Sequence, residues 1–387
     1  MAFSRQIIAC LIGLVIALGA TRPATAIEQS TPARAAFLLD LTSGAVLLAK
    51  NPDLPVPPAS MSKLMTLDVV FEALESGRLA LDDEVRVSGV AAGLGGSSMF
   101  LRQGELVKIA DLLNGVIVQS GNDASVAFAE ELAGTEAAFA DHLNTRAREL
   151  GLTNSTFVNA TGWPHPDHKM SVRDLAMIAT RIIQHFPQYY PLFSQQRFEF
   201  DGRVPANHRN RNPLLGLGLG VDGLKTGHTE EAGYGLVTSA KRGERRIVLV
   251  IVGLESEAQR KQEAERLVNW AFRAFDTRTL YRAGEPLLEA EVWIGEASRV
   301  PLAPAEDVVV TIPFGALEEP MPVARFREPA EAPVAAGDVL GEITVTVEGM
   351  DPVAVPLIAT QAVARGGFFA RIEAAAALVL GSLLPTG

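Results

Sequence analysis

In Pro58-Ala59-Ser60-Met61-Ser62-Lys63 a serine stands three residues before a lysine, and this pair is the first in the chain able to do covalent chemistry. A hydroxyl is a weak nucleophile until a neighbouring base takes its proton. A lysine amine becomes such a base when burial and nearby cations lower its pKa. The three-residue spacing puts Ser60 and Lys63 on one face of a helical turn, and the free N–H groups at a helix start can meet a developing oxyanion. Two further clusters follow in order, Ser120-Gly121-Asn122 and Lys225-Thr226-Gly227-His228. Ser60 would attack a carbonyl and Lys63 accept its proton, while Ser120 relays that proton to a leaving amine. Asn122 would hold Lys63 or a substrate amide, and Lys225 would supply a positive field that attracts an anionic substrate. Gly227 would let an extended substrate lie against a strand edge. The backbone N–H groups of Ser60 and His228 are the candidates for an oxyanion hole.

These clusters need a helix, a loop between helices and a strand to carry them. Leu64, Met65, Leu67, Val70, Phe71 and Leu74 recur at helical spacing, so a buried helix is expected to open at Ser60 and run toward Gly77. Helical periodicity from Ile109 to Ile117 breaks at Ser120–Asp123, with Asp123 expected to cap the next helix, Ala124 to Leu132. Further helices are expected at 136–150, 171–186 and 256–275. Runs 35–39 and 45–48 around Thr42-Ser43-Gly44 read as a hairpin, and 221–229, 235–240 and 246–252 as neighbouring antiparallel strands. The result is an α/β or α+β domain over 27–276. Short β-like runs broken by proline and glycine then suggest a small all-β domain over 277–359.

Residues 1–26 have the form of a secretory signal: Arg5, an apolar run from Ile7 to Leu18, and Ala24-Thr25-Ala26. The only cysteine, Cys10, falls inside it, which removes disulfides and thiol chemistry from the expected mature chain. Without Arg5 and Arg22, 32 of the 34 basic residues remain against 45 acidic ones, a charge of −13 that argues against nucleic-acid binding. Phe368, Phe369, Ile372 and Ala374 to Leu384 lie in a segment, 360–387, expected to form an amphipathic helix resting on a membrane surface. His165-Pro166-Asp167-His168 lacks metal-ligand spacing and is expected to be a surface loop, so no metal or cofactor is expected.

The trio Ser60-x-x-Lys63, Ser120-Gly121-Asn122 and Lys225-Thr226-Gly227 resembles the signature of class A β-lactamases and penicillin-binding proteins, with Gly121 where aspartate is usual. Together with Asn210-Arg211-Asn212, Val221 to Thr229, Gly233-Tyr234 and Trp270-Ala271-Phe272, the chain resembles the low-molecular-mass penicillin-binding proteins that are serine-type D-alanyl-D-alanine carboxypeptidases. That resemblance implies a β-lactamase-like transpeptidase fold, a small β domain and a C-terminal anchor on the periplasmic face of the cytoplasmic membrane. It implies removal of terminal D-alanine from peptidoglycan stem peptides through an acyl-Ser60 intermediate, and β-lactams as covalent inhibitors. By position, Arg260 would help bind the substrate carboxylate and Arg211 would line the cleft, with Thr226 and His228 also facing substrate. His185 stands where some relatives carry an acidic residue, which leaves the substrate preference open. A β-lactamase is disfavoured because Gly151 to Gly162 contains no glutamate to activate a deacylating water. A D,D-endopeptidase would use the same residues, and a non-catalytic wall-binding scaffold would not need Ser60, Lys63 and Ser120 together.

Overall fold

The structure, a computed structural model, describes residues 29–203 and 207–367. The signal expected at 1–26 and the tail from residue 368 onward lie outside the described residues. In chain order the first unit contains β1 (Ala35–Asp40), β2 (Val46–Lys50), α1 (Lys63–Glu75), β3 (Glu84–Arg86), α2 (Gly89–Ala92), β4 (Leu106–Lys108), α3 (Ile109–Asn114), α4 (Asn122–Ala133), α5 (Glu136–Glu149) and α6 (Val172–His185). β5 (Val221–Thr229), β6 (Gly233–Arg242), β7 (Arg245–Leu254) and α7 (Glu257–Ala274) complete it.

A five-stranded antiparallel sheet, ordered β2-β1-β7-β6-β5, divides this unit into two layers. The unbroken apolar run of β7 is explained by burial on both faces. Ile247, Leu249 and Ile251 pack with α7, while Val248, Val250 and Val252 join the core of α1, α4 and α6. β5 is an edge strand, so one side of its backbone is free to meet an extended peptide.

α1 threads the larger core. Phe71 on this helix stacks on Tyr189 at 5.1 Å and meets Phe186 and Phe193 at 5.5 and 6.2 Å between ring centroids. The helix starts later than expected, because Ala59 takes a positive φ of 49° and Ala59–Ser62 form a separate 3₁₀ turn ahead of Lys63. Asp123 is not the cap of α4 either, since Gly121 holds that position. The Asp123 carboxylate instead accepts from the N–H groups of Met99 and Leu101 and from Ser98 Oγ, at 2.9, 3.1 and 2.6 Å, tying segment 98–101 to the helix start.

The second unit has β8 (Phe275–Tyr281), β9 (Leu288–Trp293), β10 (Arg299–Pro304), β11 (Val308–Pro313), β12 (Met321–Phe326), β13 (Ala330–Glu331), β14 (Val339–Thr346) and β15 (Val353–Ala359). Six of these form a sheet ordered β12-β14-β15-β10-β9-β13, and β8 pairs with β11. A helix beginning at 360 is not what the described residues show: Val363 bridges Val334 and Arg365 bridges Gly295, because Val363 is buried in the β core. At the junction, buried Asp40 accepts from Arg245 Nε at 2.7 Å, from Thr277 Oγ1 at 3.2 Å and from Thr311 Oγ1 at 3.3 Å. Among the described residues no helix is long and apolar enough to cross a membrane.

Truncating Phe71 removes an aromatic hub from a core with little room to collapse. Phe71→Ala is expected to lower unfolding stability by about 3–5 kcal/mol, read as a drop in the urea midpoint. A loss under about 1 kcal/mol would show that the cluster does not hold α1.

Candidate active site

Ser60 sits half-buried on the 3₁₀ turn, and Lys63 begins α1 with no solvent exposure. Lys63 Nζ is 3.0 Å from Ser60 Oγ, 2.7 Å from Asn122 Oδ1 and 2.7 Å from the Thr161 carbonyl oxygen. Three donors of an ammonium meet three acceptors. In the neutral amine two N–H groups can stay on Asn122 and Thr161 while the lone pair faces the Ser60 hydroxyl. Burial is the main cause that lowers the Lys63 pKa to about 7, assisted by the positive charge of Arg211 and opposed by Asp123 and Glu136. The amine is therefore poised to accept a proton near neutrality.

Ser120 follows the wide turn Gly115–Gln119 and takes a left-handed conformation, φ 60°, that aims its hydroxyl across the cleft. Its Oγ accepts from Lys225 Nζ at 2.8 Å. Burial, then the charges of Lys63, Arg211 and Arg260, push the Lys225 pKa well below its ordinary value. The same burial and neighbouring cations therefore disfavour the charged form of Lys225, while Arg211 and Arg260 add guanidinium charge beside it. Arg211 is exposed, donating to Ser97 Oγ at 2.6 Å and to the Gln119 carbonyl at 3.2 Å. Arg260 is 3 % exposed, pairs with Glu257 at 2.9 Å and lies 5.7 Å from the centre of the Tyr234 ring. Tyr234 in turn stacks on exposed His228 at 3.9 Å, and Thr226 is buried between Lys225 and Gly227 on β5. The structure thus joins Ser60, Lys63 and Asn122 in one hydrogen-bonded group and Ser120 with Lys225 in a second, with Arg211 close enough for its charge to act on both lysines. Arg260 joins them through its field.

Gly227 has a packing task besides the one expected of it. A Cβ on Gly227 would lie 2.8 Å from the Pro58 carbonyl and 3.1 Å from Met61 Cγ, so this glycine lets β5 nest against the nucleophile turn. Of the two tasks expected of Asn122, the amide oxygen performs the first, holding Lys63, while Nδ2 donates to the Gly95 carbonyl at 2.9 Å.

The loop 159–163 was not anticipated. Asn159 Oδ1 accepts from the N–H groups of Thr161, Gly162 and Trp163, at 3.1, 2.8 and 3.1 Å, and so presents the Thr161 carbonyl to Lys63. Gly162, φ +76°, presses so close to the turn that a Cβ would come within 1.9 Å of the Ala59 carbonyl oxygen. Asn159-Ala160-Thr161-Gly162 is a readable turn signal, but nothing in it names Lys63 as its partner. His168 is 2 % exposed, which corrects the surface-loop reading; its Nε2 is 2.7 Å from Ser62 Oγ. No group of three or more His, Cys, Asp or Glu side chains suited to a metal occurs among the described residues.

The profile of the D-alanyl-D-alanine carboxypeptidase family, peptidase S11, matches residues 22–256, and that of the penicillin-binding protein 5 C-terminal domain matches 275–365. The chain is 39 % identical over 351 residues to the D-alanyl-D-alanine carboxypeptidase DacC of Escherichia coli, covering 89 % of this chain and 87 % of that one. Among solved structures it is similar to penicillin-binding protein 5 from Haemophilus influenzae, at 35 % identity and a TM-score of 0.81, covering 87 % of this chain and 99 % of the other. It is also similar to penicillin-binding protein D2 of Listeria monocytogenes in an ampicillin-bound form, at 29 % identity and a TM-score of 0.58, covering 64 % of this chain and 100 % of the other.

Below its pKa Lys63 is an ammonium and accepts nothing; above it, the free amine can take the Ser60 proton. The rate at which an acylating reagent modifies Ser60 is expected to rise with pH through about 7. A profile that rises only near the ordinary lysine value of 10.5 would contradict the effect of burial.

Proposed function

The chain belongs to the peptidase S11 family of D-alanyl-D-alanine carboxypeptidases, and from that premise we propose that Ser60 is its nucleophile and Lys63 the base that activates it. The enzyme is a serine-type carboxypeptidase with a penicillin-binding transpeptidase-like α/β domain and a C-terminal all-β domain. The observation that carries the assignment of roles is the 3.0 Å contact of Lys63 Nζ with Ser60 Oγ, fixed by Asn122 and Thr161.

In the proposed reaction Ser60 Oγ attacks the carbonyl between the two D-alanines while its proton passes to Lys63. The N–H groups of Ser60 and His228 meet the oxyanion of the tetrahedral intermediate. As the C–N bond breaks, Ser120 hands its proton to the departing amine and takes the Lys63 proton in its place, so free D-alanine leaves and Lys63 is a neutral amine again. Water then attacks the acyl-Ser60 ester, giving up a proton to the same base, which returns it to Ser60 Oγ as the ester C–O bond breaks and the shortened stem peptide is released. The terminal carboxylate is held by Lys225 and Thr226 in the field of Arg211 and Arg260. A β-lactam would acylate Ser60 by ring opening, and its amine cannot leave because it stays tethered, so the ester persists. The ampicillin-bound relative supports this reading. The same pocket could cut D,D-cross-links, and only the products separate the two activities.

We also propose that residues 1–26 direct export and that the apolar tail, Phe368 to Leu384, rests on the periplasmic face of the cytoplasmic membrane. The tail's phenylalanines and its near absence of charge support this location.

Ser60→Ala is expected to abolish both turnover and covalent labelling by penicillin; substantial labelling of that variant would refute the nucleophile. On pentapeptide and cross-linked wall fragments, mass spectrometry of the products is expected to show loss of one alanine, whereas release of paired stem peptides would make the enzyme an endopeptidase. Deleting residues after Gly367 should free the protein from membranes with activity on a small peptide retained. A truncated form that still sediments with membranes would exclude the tail as anchor.

A further inference from the structure

His168 takes no part in the reaction as written, yet its imidazole is enclosed beside the reacting pair. Its Nδ1 accepts from the Val158 N–H at 3.3 Å, which puts the ring proton on Nε2. That proton is donated to Ser62 Oγ, 2.7 Å away, and Phe157 meets the ring edge-on at 5.7 Å between centroids. Burial above all, and the positive charges of His165, Lys63 and Lys169, push the His168 pKa down to about 4, so the ring stays neutral around pH 7. Both nitrogens are occupied and 2 % exposure leaves no path to substrate, so proton transfer to substrate is not its task.

The two segments it joins are the ones that build the Lys63 site. Ser62 lies between the nucleophile and the base on the 3₁₀ turn. Val158 leads directly into the loop whose Thr161 carbonyl binds Lys63 Nζ and whose Gly162 touches the Ala59 carbonyl. We propose that His168 is a positioning residue for the serine–lysine pair: it braces the Val158–Trp163 loop against the Ser60 turn, keeping the Thr161 carbonyl on Lys63 and water away from it. The proposal rests on the reading of Lys63 as the base.

Loosening that brace admits water to Lys63 and relaxes the burial that lowers its pKa, while Arg211, Lys225, Asp123 and Glu136 keep their places around the amine. The test is the second-order rate of acylation of the full chain by a penicillin, measured against pH, for His168→Ala, His168→Gln and Ser62→Ala. The alanine variants of both residues are expected to acylate about tenfold more slowly at pH 7. Their acidic limb should move up by about one pH unit. Glutamine places an amide N–H at the reach of Nε2, so His168→Gln is expected to keep both the rate and the limb. If His168→Ala does not fold, Ser62→Ala removes the same hydrogen bond and carries the test. An unmoved limb and unchanged rate in the alanine variants, whatever their melting temperatures, would overturn the brace. A glutamine variant as impaired as the alanine one would overturn it too. Should the unaltered enzyme itself lack an acidic limb near pH 7, the reading of Lys63 as base fails, and the brace with it.

Discussion

An ammonium with no access to water is the constraint around which this catalytic domain is arranged. Removing a charged amine from solvent costs several kcal/mol even after relaxation, and only well-placed acceptors offset it. Lys63 has three, from Ser60, Asn122 and Thr161, with Asp123 and Glu136 close enough to favour the charged form. Their support is partial, because Arg211 pushes the other way. The balance leaves the amine near its midpoint at neutral pH, where a base is most useful. Fewer acceptors would leave it permanently neutral and weakly basic, and water would return it to the ordinary lysine range.

Holding three acceptors from three distant segments requires a rigid frame. α1 supplies the base and is anchored by Phe71 among three aromatic rings. α4 supplies Asn122, whose backbone N–H is itself fixed by the Ser97 carbonyl at 2.7 Å. The sheet behind them is packed against apolar clusters on both faces, and its edge strand β5 brings Lys225 to Ser120. Gly227 and Gly235 allow the Pro58–Met61 turn to sit directly against β5 and β6, where any Cβ would collide with Met61. The polar contacts of Asp40 carry this frame into the β domain through Thr277 and Thr311.

Much of this was legible in the residues. Ser60, Lys63, Ser120, Asn122 and Lys225 could be singled out because their types and local settings have few other uses together. The strands of the main sheet are legible from their apolar runs: β7 is unbroken from Ile247 to Val252 because that stretch is buried on both faces. What escaped notice has a common cause. Thr161 acts through its carbonyl, which every residue possesses, so no side-chain pattern marks it. His168 looked like a surface loop residue because Pro166 and Asp167 surround it, and only the fold shows Ser62 next to it. The packing of Gly227 against Pro58 and Met61 is not marked either, since a glycine's need for space does not say which neighbour crowds it. Asp123 resembled a helix cap by position, but segment 98–101 competes for its carboxylate. The late start of α1 reflects Ala59, whose positive φ belongs to the contact with Gly162 rather than to any local preference.

The most direct measurement is a pH titration of the Lys63 side-chain resonance by NMR in the intact protein, assigned by its loss in Lys63→Arg. A midpoint of about 7 is the predicted result. A midpoint near 10.5 would mean that the buried site does not hold a basic amine at neutral pH, and the account of Ser60 activation would be wrong.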